Sequence, residues 1–182
     1  MNDFDKLFQQ FPTLKVAVIG DVMLDTYWWG KVDRISPEAP VPVVVLKDKE
    51  YRIGGAGNVA LNTAALKAET TLFSVTGADD DAETLIGLLQ DNQIDTKYIV
   101  KSTERITTNK IRIISRNQQM MRLDSEVTKN ISPEDEELLI SNFSSFVKRY
   151  QPHVAIFEDY NKGVLTETLI ERLITICKAN DM

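Results

Sequence analysis

The sequence has only one cysteine and one histidine among its 182 residues. A single cysteine cannot form an internal disulfide, and Cys177 lies in an apolar-periodic stretch typical of a helix, so we interpret it as a buried structural thiol. His153 follows Pro152 at the predicted start of a strand. Because no partner serine, cysteine or metal-ligand cluster accompanies His153, we interpret it as structural. We predict no metal site in this chain.

Long apolar runs and clusters of basic residues are also missing. No stretch approaches the roughly 18 apolar residues of a membrane span, and the N-terminus has no apolar run of signal-peptide length. Lysine and arginine number 21 against 27 aspartate and glutamate, which gives a formal net charge of −6. Since nucleic-acid binding is driven mainly by clustered cations that release counterions, this composition disfavours such a partner. We expect a cytoplasmic protein that binds neither membranes nor nucleic acid.

Strands and helices alternate along most of the chain. With 43% apolar and 26% charged residues, the composition is ordinary for one soluble globular unit. A short apolar run predicts a strand buried on both faces of a parallel sheet at 15–20, and further strands are predicted at 70–77, 98–100 and 154–157. Apolar residues at helical spacing predict helices at 58–67, 79–92, 133–150 and 166–179, and Ser132 and Pro133 form a typical helix start. This alternation predicts an α/β fold, with residues 21–25 in a loop at the ligand-binding edge of the sheet.

Two segments rich in β-branched residues interrupt this alternation. Residues 41–53 contain the charged stretch 47–50, which predicts a hairpin that lies over solvent. Residues 106–123 predict a second β segment, with a turn near 116–118. We expect the two segments to pair with each other, as insertions into a single domain that comprises residues 1–182.

Residues 54–58 read Gly-Gly-Ala-Gly-Asn and precede a predicted helix. By themselves they fit two interpretations. The glycines can form only a tight turn, or they can let backbone N–H groups at the helix start approach an anion or a hydroxyl closely. The stretch is neither a P-loop, because Gly-Lys-Ser/Thr is missing, nor a Gly-x-Gly-x-x-Gly fingerprint.

Several ungapped blocks are similar to a known family. Residues 54–64, Gly-Gly-Ala-Gly-Asn-Val-Ala-Leu-Asn-Thr-Ala, resemble the first signature of the ribokinase-like (PfkB) carbohydrate kinases. The blocks at 20–28, 34–44, 110–124 and 159–163 are similar to the D-glycero-β-D-manno-heptose-7-phosphate kinases of lipopolysaccharide-precursor synthesis. The resemblance runs from about Lys15 to the end of the chain. It departs at Lys67-Ala68, where the family often has Leu-Gly, and at Glu158, where a small residue is common.

The resemblance implies a fold and an activity. The fold would be a ribokinase-like three-layer α/β/α core with a parallel sheet, plus a small β-sheet lid formed by residues 41–53 and 106–123. The activity would be phosphoryl transfer from ATP, with magnesium, to the anomeric hydroxyl of heptose 7-phosphate, in the synthesis of ADP-heptose. Lid closure would exclude water that competes for the phosphoryl group. Since the lid often forms the dimer contact in related kinases, we also expect a homodimer.

The resemblance further implies which residues bind the substrate. Those that would contact sugar hydroxyls are Asp25, Gly54, Gly55 and Asn58, although Asn58 could instead cap the helix. The substrate phosphate would be bound by four lid cations, Lys110, Arg112, Arg116 and Arg122. The alternative for these cations is a solvated strand face that protects a sheet edge.

The resemblance assigns one further pair, and a second pair is interpreted from its spacing alone. Asp159 would lie at the junction of the sugar and the ATP phosphates, and Lys162 would lie near that junction. Trp28 and Trp29 are adjacent in an extended segment, so their side chains should point in opposite directions. We expect core packing for them, although one could shield a ligand.

The family's general base is the aspartate of a late Gly-Ala-Gly-Asp motif, and this sequence has no such motif. We therefore expect no catalytic residue here and interpret the chain as the N-terminal part of a kinase domain, truncated on its C-terminal side. We expect it to be inactive alone, because general-base assistance is worth roughly 10²–10⁴-fold in rate. The alternatives are a non-catalytic sugar-phosphate-binding or dimerisation module, or a kinase of another sugar.

Overall fold

Residues 3–182, which the computed structural model describes, form five α-helices, eight β-strands and a short 3₁₀ helix at Phe11–Thr13. The helices are α1 (Asp3–Gln10), α2 (Ala56–Ala65), α3 (Asp80–Asp91), α4 (Pro133–Tyr150) and α5 (Glu167–Lys178). The strands are β1 (Lys15–Gly20), β2 (Val22–Ile35), β3 (Pro42–Gly55), β4 (Glu69–Gly77), β5 (Asp95–Ser102), β6 (Asn109–Ser115), β7 (Gln118–Ser125) and β8 (Val154–Glu158).

A parallel sheet forms the centre of the molecule. Its strands run in the order β5-β4-β1-β8, and every neighbouring pair is parallel. Leu72 of β4 packs with residues of α2 and α3, whereas the next residue, Phe73, packs with residues of α4 and α5 on the opposite face. Helices therefore cover both faces, which explains the continuous apolar run of β1. The predicted three-layer α/β/α core is confirmed.

Aromatic rings fill the core on the α4 side of this sheet. Phe73 stacks on Tyr98 with ring centroids 4.9 Å apart, and it meets Phe143 and Phe146 edge to face at 5.4 and 5.2 Å. Such contacts add to the free energy of burial and fix the packing of α4 on β4. Cys177 lies in the same core, where burial raises the pKa of its thiol. Its predicted burial is confirmed.

Local hydrogen bonds account for two further predicted features. Ser132 caps α4, because its hydroxyl accepts a hydrogen bond from the backbone N–H of Asp135 at 3.1 Å. The Nδ1 atom of His153 accepts a hydrogen bond from the backbone N–H of Lys15 at 3.0 Å, beside the start of β1. The predicted helix start is confirmed, and the hydrogen bond of His153 agrees with its interpretation as a structural residue.

The second sheet differs from the predicted hairpin. Its strands run in the order β3-β2-β6-β7, and β2 pairs antiparallel with β3 and parallel with β6. The charged residues 47–50 lie inside β3 rather than in a turn, because its partner β2 extends from residue 22 to residue 35 and pairs with them. The predicted hairpin within 41–53 is therefore wrong, and so is the loop at 21–25, in which only Asp21 lies outside a strand. The two predicted β segments share one sheet, but β2 separates them.

The turn between β6 and β7 is confirmed. Arg116 and Asn117 form a two-residue connection in which both have positive φ, 49° and 62°. This backbone conformation is the one that joins twisted antiparallel strands with the least distortion.

Buried polar side chains fix the second sheet to the core. Thr26 of β2 donates its hydroxyl to the Oδ1 atom of Asn109 at 2.8 Å, and Asn109 donates through Nδ2 to Asp81 on α3 at 2.9 Å. Asp79, the N-cap of α3, accepts the backbone N–H of Thr107 at 2.8 Å. These contacts set the position of the sheet's inner end relative to the parallel sheet.

Candidate functional site

A pocket of about 340 Å³ lies between one face of the second sheet, the start of α2 and the loop that follows β8. Its lining residues are Met23, Asp25, Tyr27, Arg52, Ile53, Gly54, Gly55, Asn58, Lys110, Arg112 and Tyr160. The residues predicted from the sequence that this pocket brings together are Asp25, Gly54, Gly55, Asn58, Lys110 and Arg112.

Asp25 and Arg112 form an ion pair inside this pocket. The Nη1 atom of Arg112 donates to the Oδ1 atom of Asp25 at 2.5 Å, and the two side chains are 22% and 19% exposed. They meet because β2 and β6 are parallel neighbours, with Asp25 opposite Lys110 and Tyr27 opposite Arg112. Asp25, predicted to bind sugar hydroxyls, and Arg112, predicted to bind the substrate phosphate, are thus in direct contact. The Oδ2 atom of Asp25 takes no part in this ion pair.

The glycines before α2 are required by close contacts. A Cβ atom at Gly54 would overlap the Asp25 carboxylate, and one at Gly55 would overlap the backbone oxygen of Asp21. Gly55 also has a φ of 59°, which side-chain-bearing residues rarely adopt. Asn58 is exposed at the pocket and does not cap α2, since the N-cap is Gly55. These contacts account for the glycines structurally, and Gly54 and Gly55 also line the pocket, so both interpretations of this stretch stay open.

Asp21, which the sequence did not single out, is the most buried carboxylate at this edge. It is 1% exposed. Its Oδ2 atom accepts the backbone N–H groups of Tyr160 and Lys162 at 2.8 and 3.0 Å, and Oδ1 accepts that of Val164 at 3.1 Å. The sequence feature that could have indicated Asp21 is its position directly after a buried strand. Asp159 has the same feature, so it would not have distinguished the two residues.

The loop after β8 places Asp159 and Lys162 outside the pocket lining. The Asp159 side chain is exposed and accepts the backbone N–H of Asn161 at 2.7 Å, which closes a local turn. Lys162 forms an ion pair with Glu126 at 3.0 Å, with side chains 15% and 21% exposed. Tyr160 is the residue of this loop that lines the pocket.

Arg105 also holds the loop after β8, through a side-chain hydrogen bond. Its Nη2 atom donates to the backbone oxygen of Lys162 at 2.6 Å. Burial lowers the pKa of its guanidinium group, while the charges of Asp21 and Asp135 act in the opposite direction. The loop is thus held between a buried anion, Asp21, and a partly buried cation, Arg105.

Arg116 and Arg122 do not line the pocket. Arg116 lies exposed in the β6–β7 turn, and Arg122 pairs with Asp124 on exposed β7 at 2.8 Å. Arg52 of β3 lines the pocket instead, and its guanidinium carbon lies 4.4 Å from the ring centroid of Tyr27. The sequence did not indicate Arg52, because its position depends on the register between β3 and β2.

The two adjacent tryptophans lie on opposite faces of the second sheet, as predicted. Trp29 stacks with Tyr27 at 6.4 Å on the pocket side. Trp28 lies on the other face, where the ammonium group of Lys49 is 5.1 Å from its ring centroid. Neither tryptophan is fully buried or packs in the hydrophobic core, so the expected core packing is wrong.

Residues 3–182 contain neither a cluster of metal-binding side chains nor a helix suited to span a membrane. No three histidine, cysteine, aspartate or glutamate side chains in this part of the chain are grouped so that they could hold a metal ion. None of its helices combines the length and the apolar character that a membrane span needs.

Comparisons with known proteins cover nearly the whole chain. The sequence profile of the pfkB family carbohydrate kinases matches residues 13–182. Bifunctional protein HldE of Methylobacillus flagellatus is 47% identical over 165 residues, which are 91% of this chain and 34% of that protein. Bifunctional protein HldE of Haemophilus influenzae is 43% identical over 173 residues, which are 94% of this chain and 35% of that protein. The chain therefore spans about a third of the length of these curated relatives.

Solved structures share the fold at low sequence identity. Phosphofructokinase-2 from Escherichia coli, in a tetrameric inhibited form, aligns with a TM-score of 0.67 and 14% identity, covering 93% of this chain and 53% of that one. Arabidopsis thaliana ribokinase, complexed with ribose and ATP, aligns with a TM-score of 0.63 and 13% identity, covering 93% and 51%.

Proposed function

The chain belongs to the pfkB family of carbohydrate kinases, and from this premise we propose that it is part of a kinase that acts on D-glycero-β-D-manno-heptose 7-phosphate. The reaction is transfer of the γ-phosphoryl group of ATP to the anomeric hydroxyl, which leads towards ADP-heptose. The single observation that supports this substrate best is that hydroxyl-binding groups and lid cations share one pocket. A sugar that carries a phosphate at its far end needs both.

In this proposal, Asp25 and Asn58 bind sugar hydroxyls. Asp25 accepts hydroxyl hydrogen bonds through the oxygen that Arg112 does not occupy, and the amide of Asn58 can both donate and accept. Gly54 and Gly55 let the sugar approach the backbone at the start of α2. Lys110 and Arg112 contact the phosphate, since charge-assisted hydrogen bonds are about twice as strong as neutral ones. Arg116 and Arg122 would reach it only from outside the pocket lining.

The loop after β8 is the chain's contribution to phosphoryl transfer. Lys162 lies near the junction of the sugar and the ATP phosphates, where a cation stabilises the charge of the transferred group. Asp159 lies at the same junction but does not line the sugar pocket. ATP supplies the phosphoryl group when bound. Residues 3–182 contain no group of three histidine, cysteine, aspartate or glutamate side chains that could hold a metal ion, and holding magnesium is not among the roles proposed for this chain.

A comparison of two ligands tests the proposed substrate. Heptose 7-phosphate is expected to bind at least about tenfold more tightly than unphosphorylated heptose, because charged hydrogen bonds contribute roughly 1.5–3 kcal/mol. Titration calorimetry on the purified chain measures both affinities, with fructose and ribose as controls for another sugar. Equal affinity for the two heptoses, or tighter binding of fructose or ribose, would contradict the proposal.

The face of the second sheet opposite the pocket is proposed as a homodimer contact. It carries exposed apolar side chains on the two edge strands of the sheet, with Tyr51 of β3 40% exposed and Met121 and Leu123 of β7 55% and 42% exposed. Trp28, Ile111 and Ile113 lie on this face between them and are partly buried. Exposed apolar patches of this kind usually mark an interaction surface. Two copies of the sheet, related by a two-fold axis, would cover it.

The dimer prediction can be checked by light scattering at micromolar concentration. The wild-type chain is expected to be a dimer, and the double variant Met121→Glu with Leu123→Glu is expected to be a monomer, because it buries charge in the contact. Leu138→Glu, on the exposed side of α4 at 49% exposure, is the control and should remain dimeric. A wild-type monomer, or a dimeric double variant, would refute this contact.

A further inference from the structure

Two guanidinium groups lie next to one aromatic ring in the pocket. The guanidinium carbon of Arg52 is 4.4 Å from the ring centroid of Tyr27, and that of Arg112 is 5.3 Å from the same centroid. Arg52 and Arg112 come from β3 and β6, the two strands that flank β2. A ring between two cations attracts both electrostatically and limits their side-chain freedom.

Each of the two arginines keeps N–H groups that its carboxylate partner does not bind. Arg112 meets Asp25 through Nη1, and Arg52 meets Glu50 through Nε at 2.6 Å. The two terminal nitrogens of Arg52 are outside that salt bridge, and its side chain is 53% exposed. The hydrogen bond with Glu50 raises the pKa of Arg52, so the guanidinium group stays charged. Both arginines can therefore still donate hydrogen bonds to a ligand.

The charge of the pocket lining fits a phosphate group. Arg52, Lys110 and Arg112 are the cations of the lining and Asp25 is its carboxylate, so the lining residues alone carry a surplus of two positive charges, which Glu50, the partner of Arg52 outside the lining, partly offsets. This surplus is local, since the whole chain has a formal net charge of −6. A phosphate monoester carries about −1.5 to −2 at pH 7. Without Arg52, the surplus would be a single charge and would match the phosphate less well.

From this geometry, and resting on the proposed function, we propose that Arg52 is a specificity-determining residue that binds the substrate phosphate together with Arg112 and Lys110. Tyr27 is a positioning residue, because its ring holds the two guanidinium groups on either side of the phosphate. Arg52 thus takes the place that the sequence suggested for Arg116 and Arg122. Discrimination between phosphorylated and unphosphorylated sugar depends on it.

The variant Arg52→Gln tests the proposal by calorimetry on the purified chain. We expect it to bind heptose 7-phosphate about 10–100-fold more weakly than the wild type, with less than about a threefold change for unphosphorylated heptose. Lys49→Gln is the matched control, because it removes the same charge from the same strand on the opposite face, and it should leave both affinities unchanged. Arg52→Lys keeps the charge without the planar fork and should recover part of the loss.

Two variants of Tyr27 test its positioning role in the same titrations. Tyr27→Phe keeps the ring and should bind heptose 7-phosphate within about threefold of the wild type. Tyr27→Leu removes the ring and should bind it about tenfold more weakly. Equal losses in both variants would assign the effect to the hydroxyl and overturn the positioning role.

The outcomes separate this proposal from the proposed function. If the wild type prefers heptose 7-phosphate and Arg52→Gln keeps that preference, the role of Arg52 is wrong and the proposed function stands. An equal loss for both heptoses in a folded Arg52→Gln variant also overturns the role, because it indicates a structural effect. If the wild type shows no preference, the proposed function fails, and the assignment of Arg52 fails with it.

Discussion

Replacing Asp21 with asparagine is expected to lower the free energy of unfolding by roughly 3–5 kcal/mol. The carboxylate is 1% exposed and accepts three backbone N–H groups. An asparagine amide has only one acceptor oxygen, so its NH₂ group would face at least one of these donors. The substitution would also remove the negative charge that favours the charged form of the partly buried Arg105. The loop after β8 would lose its attachment to Asp21 and keep the hydrogen bond from Arg105.

Denaturant unfolding measures this loss, and amide hydrogen exchange localises it. The N–H groups of Tyr160, Lys162 and Val164 should exchange faster in Asp21→Asn, because their acceptor is changed. Asp159→Asn is the matched control, since its exposed side chain accepts only the neighbouring N–H of Asn161, and it should cost less than about 1 kcal/mol. Similar costs for the two variants would show that Asp21 does not hold the loop.

The parallel core could be predicted because its signals are local. Strands β1 and β8 contain continuous apolar runs, and a sheet covered on both faces buries such runs. The start of α4 follows from Ser132 and Pro133, whose effects act within one turn of helix. In these segments the sequence pattern and the tertiary structure favour the same conformation, so no long-range information was needed.

The second sheet could not be predicted in the same way because its signals are long-range. The charged residues 47–50 are typical of a turn, but pairing with β2 overrides that preference. Once β2 is known to separate β3 from β6, Arg52 and Arg112 fall on one face and beside one ring. Register decides this, and a shift of one residue would send each side chain to the opposite face.

The functions of the aspartates at the edge of the parallel sheet also could not be assigned from the sequence. Three aspartates lie near that edge: Asp21 directly after β1, Asp25 near the start of β2, and Asp159 directly after β8. Their spacing in the sequence does not indicate which of them binds a ligand. The structure gives them different environments: Asp21 is buried on backbone donors, Asp25 is paired with Arg112 in the pocket, and Asp159 is exposed. Their expected functions differ accordingly: Asp21 holds the loop after β8, and Asp25 binds the sugar.

Asp25→Asn is expected to weaken sugar binding by about 100-fold or more. A carboxylate that accepts two sugar hydroxyls contributes roughly 1.5–3 kcal/mol for each charge-assisted hydrogen bond, and each 1.4 kcal/mol is tenfold in affinity. The substitution also releases Arg112 from its ion pair, so the guanidinium group would lose its fixed position. Stability should change by only about 1 kcal/mol, because the pair is partly exposed and solvent screens it.

Calorimetry with phosphorylated and unphosphorylated heptose distinguishes this role from that of Arg52. Asp25→Asn should weaken both ligands, since both carry the same hydroxyls, whereas Arg52→Gln should weaken only the phosphorylated one. Asp33→Asn is the control, because Asp33 lies on the same strand, pairs with Lys31 and is half-exposed, far from the pocket lining. If Asp25→Asn bound unphosphorylated heptose as tightly as the wild type, Asp25 would have no role in binding the sugar, and its carboxylate would serve only to hold Arg112.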